Sequence, residues 1–192
     1  MAKLYFKYGS MGSGKSILLM TVAYNYTERG QNVLILTSAI DNRYGVGKIK
    51  SRIGIEIPAL AVNTEDSILN IYNIQLKKYN KIDAVLVDEC HFFTSCQIME
   101  LSDICDIYDI PVLCFGLRSD FKMQLFEGSK QLMAICDDIS ECKSVCWCGK
   151  KATINTRILN NEIVKDGNQI QIGGNESYIS LCRKHFKECK LS

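Results

Sequence analysis

The chain has almost no excess charge of either sign. Its 192 residues carry 23 Lys plus Arg against 21 Asp plus Glu, a formal charge of +2. Without a bulk basic field, no partnership with a nucleic acid polymer through counterion release is expected. Long apolar runs are missing too. The longest, such as Asp83 to Val87 or Ile110 to Leu117, fall far short of the roughly 20 residues of a membrane helix, so no membrane partner is expected. Met1-Ala2-Lys3-Leu4 leads at once into alternating residues and a glycine loop, with no apolar signal segment or small-residue cleavage site, which predicts a cytoplasmic protein. Internal repeats and low-complexity runs are absent as well. What the chain does have is apolar content: 47% hydrophobic residues against 23% charged bury a real core and exclude disorder as the main state. The length suits one large domain, or one domain with a small appendage. Ten cysteines in a chain without an export signal read as free thiols and metal ligands, not disulfides.

Apolar strand candidates alternate with helical segments through the first three quarters of the sequence. Leu4 to Tyr8, Asn32 to Thr37, Pro58 to Val62, Ile82 to Asp88 and Pro111 to Gly116 are short and rich in β-branched, Leu or aromatic residues, as buried parallel strands are. Lys15 to Arg29, Ser67 to Tyr79 and Thr94 to Tyr108 carry apolar residues at three- and four-residue spacing and read as helices. The pattern predicts an α/β fold with a parallel sheet of about five strands flanked by helices. From about Glu141 cysteines crowd, polar residues alternate with Ile and Val, and Lys165-Asp166-Gly167-Asn168 offers a hairpin turn. We expect a nucleotide-binding domain over 1–140 and a small domain over 141–192. The second has too few apolar residues for a core of its own, so a metal or the larger domain must help to order it.

Gly9-Ser10-Met11-Gly12-Ser13-Gly14-Lys15-Ser16 matches G-x-x-x-x-G-K-[ST] between a predicted strand and a predicted helix, the context a phosphate-binding P-loop requires. In such a loop the glycines let backbone N–H groups turn inward, and the helix N-terminus adds partial positive charge. Lys15 would reach the β- and γ-phosphates of ATP and Ser16 would hold Mg2+. The strand Ile82 to Asp88 ends in two carboxylates. Asp88 would hold magnesium through water, and Glu89, directed elsewhere by strand alternation, can face a nucleophile. This pair alone fits an ATPase as well as a kinase.

With the P-loop, Asp88-Glu89-Cys90-His91-Phe92-Phe93 and Ile172-Gly173-Gly174-Asn175-Glu176-Ser177-Tyr178 in one chain, the sequence resembles the thymidine kinases of the cytosolic, zinc-containing type. Asp41-Asn42-Arg43-Tyr44 and Gly116-Leu117-Arg118-Ser119-Asp120-Phe121 match that family's phosphate-side and nucleoside-side loops, and the cysteine-rich tail resembles the bacterial branch. The resemblance implies a P-loop fold of the RecA-like kind and transfer of the ATP γ-phosphate to the 5′-hydroxyl of thymidine or deoxyuridine. It also implies a homotetramer. By the same resemblance Glu89 is the general base and Arg43 neutralises charge near the transferred phosphate. Asp41, Asp88, Cys90 and His91 join the P-loop on the donor side. The nucleoside pocket comprises Met11, Phe92, Leu117, Phe121 and Tyr178, with Gln169, Ile170, Gln171, Ile172 and Gly173 forming a lasso loop whose main chain reads the base edge. Phe121 would stack on the pyrimidine.

Cys146, Cys148, Cys182 and His185 form a C-x-C and C-x-x-H set separated by about thirty residues, compatible with a closed, structural zinc (Zn2+) site. The tight first pair and the histidine depart from the C-x-x-C pairs common in the family, and either Cys142 or Cys189 could replace a ligand. Two other classes compete: a P-loop ATPase coupled to a partner, and a zinc-ribbon binding module with a vestigial nucleotide site. Small size and near-neutral charge, without an evident partner surface, weigh against the first. The full set of catalytic residue types weighs against the second.

Overall fold

The computed structural model describes residues 1–43, 45–174 and 177–192. Tyr44 of the phosphate-side loop and Asn175 and Glu176 of the glycine-rich stretch lie outside the described residues. The first strand, β1 (Leu4–Tyr8), runs into the glycine loop, and α1 (Lys15–Thr27) follows directly. β2 (Val33–Ser38) is followed by a short hairpin, β3 (Lys48–Lys50) and β4 (Glu56–Pro58), and then by β5 (Leu60–Val62). α2 (Ile68–Tyr79), β6 (Ala84–Asp88), a 3-10 turn (Cys90–Phe92), α3 (Ser95–Tyr108) and β7 (Val112–Gly116) continue the alternation. α4 (Glu127–Ile135) and β8 (Asp138–Glu141) complete it.

The main sheet has six parallel strands in the order β5-β2-β6-β7-β1-β8. All five residues of β6 are buried, as expected of a strand covered on both faces, and their side chains divide between two cores. Val85 and Val87 point to α2 and α3, packing with Tyr72, Ile98, Leu101 and Ile104; Leu86 points to α1, with Leu19, Met20 and Phe115. The helix starts are chemically specified. Thr94 accepts from the Gln97 N–H at 3.2 Å while the Gln97 side chain accepts from the Thr94 N–H at 3.1 Å, a reciprocal capping box. Loss of such a cap typically costs about 1 kcal/mol.

Three expectations change. The sheet has a sixth strand: β8 pairs with the open side of β1 from Tyr5↔Asp138 to Tyr8↔Glu141. Its sequence, Asp138-Ile139-Ser140-Glu141, is mostly polar because an edge strand needs little apolar surface. The stretch Pro58 to Val62 is divided, since Pro58 ends β4 and only Leu60–Val62 joins the sheet. The tail hairpin does not turn at Lys165 to Asn168. β11 (Ile154–Leu159) and β12 (Glu162–Val164) turn at Asn160 and Asn161, whose φ values of 51° and 61° suit a tight primed turn. Lys165 to Asn168 instead begin the long connection to β13 (Tyr178–Leu181), which pairs on the other side of β11. The two-stranded β9 (Ser144–Val145) and β10 (Lys151–Ala152) precede this sheet, and α5 (Arg183–Lys187) follows it.

Candidate functional site

A cleft of about 240 Å³ runs from the glycine loop, past the end of β6, to the tail sheet. At its glycine-loop end stand Met11 to Ser16, Asp41, Arg43, Asp88 and Glu89. Gly9 and Ser10 lie behind this wall: the Gly9 N–H donates to Gly116 O at 3.2 Å, and a Cβ on Gly9 would stand 2.4 Å from Cys142 O. That approach demands glycine. The Lys15 ammonium folds onto the loop, donating to Gly9 O and Ser10 O at 3.2 and 3.0 Å. Burial lowers its pKa, opposed by Glu89 and Asp88.

Ser16 Oγ donates to Asp88 Oδ2 at 3.0 Å. Burial, followed by the charge of Glu89, pushes the Asp88 carboxyl up to about 7. A hydroxyl and a buried carboxylate brought together beside a P-loop are the donor set magnesium takes with a nucleotide, so the residues fit that ion. Glu89 does not take its direction from strand alternation, because it follows the end of β6 in left-handed conformation, φ 50° and ψ 36°. A non-glycine residue held there costs energy and is concentrated at functional positions. The turn aims Glu89 at Arg43, whose Nη2 donates to Glu89 Oε1 at 2.6 Å. Arg43 also grips Asp41 with two 2.7 Å bonds. His91, kept neutral by burial, accepts the Leu117 N–H on Nδ1 at 3.2 Å and lies 3.5 Å from Glu89 Oε2. Cys90 is not brought to the cleft; it is fully buried, with Sγ 2.7 Å from the Cβ position of Gly116.

The other end of the cleft is aromatic and main-chain-rich: Phe92, Leu117, Phe121, Tyr178 and Gln169 to Gly173 line it. The Arg157 guanidinium lies 3.8 Å from the Phe121 ring centre and donates from Nε to Tyr178 Oη at 3.0 Å. Tyr178 Oη in turn donates to Gln171 O at 2.9 Å. Phe121 is 1% exposed, so a ligand reaches an edge or a small part of the ring and finds one face already taken by Arg157.

Cys146, Cys148, Cys182 and His185 converge, their ligand atoms all within 4.8 Å of one another. Cys146 Sγ and Cys182 Sγ lie 3.4 and 3.5 Å from His185 Nδ1, and Cys148 Sγ lies 4.0 Å from Cys182 Sγ. A tetrahedral zinc with ordinary Zn–S and Zn–N bonds has edges of roughly 3.5–3.8 Å, so this Cys3His group could bind zinc. Burial opposes ionisation of Cys146, but backbone N–H groups of Cys148 and Cys182 with the His185 side chain bring its thiol down to about 6. Trp147 stacks on the His185 ring at 4.2 Å and 12°, fixing the imidazole. Among the described residues no other such group is present. Cys142 instead lies by the glycine loop, with its N–H on Tyr8 O at 2.7 Å, and Cys189 is exposed.

A family model described as thymidine kinase matches residues 2–186. The chain belongs to the thymidine kinase family. A thymidine kinase of Zymomonas mobilis is 52% identical over 189 residues, covering 98% of this chain and 97% of that protein. Those of Haemophilus influenzae and Rhodopirellula baltica are each 51% identical over 98% of this chain, covering 97% and 89% of their own lengths.

Further groups shape the kinase's cleft. Asn155, in the middle of β11, accepts the Met11 N–H on Oδ1 at 2.8 Å and donates from Nδ2 to Ser119 O at 2.9 Å. Asp120 accepts from the Lys122 and Gln124 N–H groups, at 2.8 and 2.9 Å, and from the Gln169 side chain at 3.0 Å. Phe126 and the hairpin residues 48–53 also line the kinase's cleft. Asp120 belongs to the Gly116 to Phe121 segment that the sequence already singled out, whereas nothing in the alternation of β11 distinguishes Asn155.

Proposed function

We propose that this kinase transfers the γ-phosphate of ATP to the 5′-hydroxyl of thymidine or deoxyuridine, forming thymidylate or deoxyuridylate and ADP, as a step of pyrimidine salvage. The observation that carries the reading is the position of Glu89. One side of its carboxylate meets Arg43 and the phosphate end of the cleft, while the other faces His91 and the loop at Leu117. A nucleoside lying between Phe121 and the Gln169 to Gly173 main chain would place its sugar toward that carboxylate.

Glu89 accepts the proton of the 5′-hydroxyl. The hydroxyl oxygen forms a bond to the γ-phosphorus as the bond to the β–γ bridging oxygen breaks, and ADP leaves with that electron pair. Gly12, Gly14, Lys15 and Ser16 present amides to the phosphates and the Lys15 side chain adds a charge. Arg43, positioned by Asp41, meets the negative charge spread over the transferred group. Ser16 and Asp88 would hold magnesium, which supplies charge neutralisation on the phosphate oxygens. Met11, Phe92, Leu117, Phe121 and Tyr178 enclose the base, and a pocket closed by lasso-loop main chain leaves no room for a purine. A buried donor left unpaired by the wrong base costs about 1–3 kcal/mol, which favours thymine over cytosine. Cys146, Cys148, Cys182 and His185 hold a structural zinc in a unit spanning 141–192, attached to the nucleotide-binding unit of 1–140. No helix among the described residues is long and apolar enough to cross a membrane. We place the kinase in the cytoplasm as a homotetramer acting on free nucleosides, not on a nucleic acid polymer.

A coupled assay of ADP release tests the reaction class. Release should be slight with ATP and magnesium alone and rise many-fold on addition of thymidine; equal rates without any nucleoside would favour an ATPase.

A further inference from the structure

The β3–β4 hairpin, which closes the phosphate end of the cleft, has a turn that is held firmly. Its strands pair through Ile49↔Ile57, and Ile49 is 3% exposed in the core shared with Leu19 and Leu86. At the turn Ser51 N–H and Oγ both donate to Ile55 O, at 2.8 and 3.1 Å, and the Ile55 N–H returns to Ser51 Oγ at 3.2 Å. Arg52 therefore projects from a fixed turn. Its Nη1 stands 3.1 Å from the Cβ position of Gly12, whose φ of 75° favours glycine there.

Other cations of the cleft are engaged. Lys15 is bonded to its own loop, Arg43 to Asp41 and Glu89, and Lys48 and Lys50 lie 3.7 and 3.8 Å from Glu56. Arg52 makes no hydrogen bond or ion pair with the described residues, yet it lines the same cleft as Lys15, Asp88 and Glu89. A planar guanidinium fork fits phosphate oxygens two at a time, with charge-assisted bonds about twice as strong as neutral ones.

We propose that Arg52 binds the phosphate chain of the donor nucleoside triphosphate across Gly12, so that the hairpin forms the outer jaw of the donor site. This assignment rests on the phosphoryl-transfer reading of the cleft. Its test is titration of the full chain with ATP and magnesium, without nucleoside, for the unaltered protein, Arg52→Ala and Arg52→Lys. We expect the alanine variant to bind ATP about tenfold or more weakly, the lysine variant to recover part of the loss as a point charge, and the thymidine KM to stay within twofold. Binding of ATP by Arg52→Ala within twofold of the unaltered protein would overturn the proposal. So would an effect on thymidine alone. Because the titration needs no acceptor, it reads Arg52 independently of thymidine phosphorylation; failure of the unaltered protein to phosphorylate thymidine would strike the underlying reading instead.

Discussion

Arg157 shows how one buried side chain sets the shape of a pocket it does not line. It is 4% exposed, it covers a face of Phe121, and its Nε and Nη2 reach Tyr178 Oη and, at 3.4 Å, Gln169 O. One guanidinium thus joins the aromatic floor to Tyr178 of β13 and to one carbonyl of the segment 169–173. Arg157→Met keeps much of the apolar stem and removes the fork. We expect the thymidine KM to rise about tenfold or more, the ATP KM to move less than twofold, and steady-state kinetics to separate the two. An unchanged thymidine KM would contradict this positioning role. The residue was invisible in the sequence because an arginine within an alternating strand reads as a solvent-facing charge. Asn155 escaped notice for a similar reason, since its two partners, Met11 and Ser119, lie 144 and 36 residues away. The P-loop and the Asp88-Glu89 pair, by contrast, were legible because each is local: the chemistry is written in consecutive residues. Even there the aim of Glu89 is not legible, because a left-handed turn does not show in a side-chain pattern.

Among the elements, strands buried on both faces and helices with clear apolar spacing were legible within one or two residues at each end. Thr94 and Ser67 are outside their helices as caps, not inside them. What escaped was small or polar: β8 at the sheet edge, the β3–β4 hairpin and α4, whose apolar spacing is confined to nine residues. In the tail the ligand spacing was legible, and the four residues it singled out, Cys146, Cys148, Cys182 and His185, are the ones that converge. The cluster ties the β9–β10 turn to the end of β13, and β13 pairs with β11, which carries Arg157 and Asn155. Metal-binding energy in such a unit is also folding energy. Cys148→Ala should therefore lower bound zinc well below one per chain, reduce the melting temperature and weaken thymidine binding. Cys142→Ala and Cys189→Ala should leave zinc content unchanged. Zinc retained in full by Cys148→Ala, measured by elemental analysis, would show that the ligand set is wrong.

At the scale of the molecule, two kinds of sheet meet at one loop. Met11 is held by Asn155 through its N–H and by Ser180 Oγ, which donates to Met11 O at 2.6 Å, so the tail sheet grips the rim of the P-loop. The alternation of strands and helices announced the parallel sheet, whereas this contact depends on long-range closure that no local pattern encodes. Its consequence is a single cleft in which the glycine loop, the aromatic wall and Glu89 share one frame. The most direct test of that arrangement is single-turnover transfer from labelled ATP to thymidine by the unaltered kinase and by Glu89→Gln, at saturating magnesium. General-base catalysis typically contributes about 10²–10⁴-fold, so label should reach the 5′-oxygen at least about a hundredfold more slowly in the variant, with ATP affinity kept within a few-fold. Equal transfer rates in the two proteins would contradict the role of Glu89 on which the account depends.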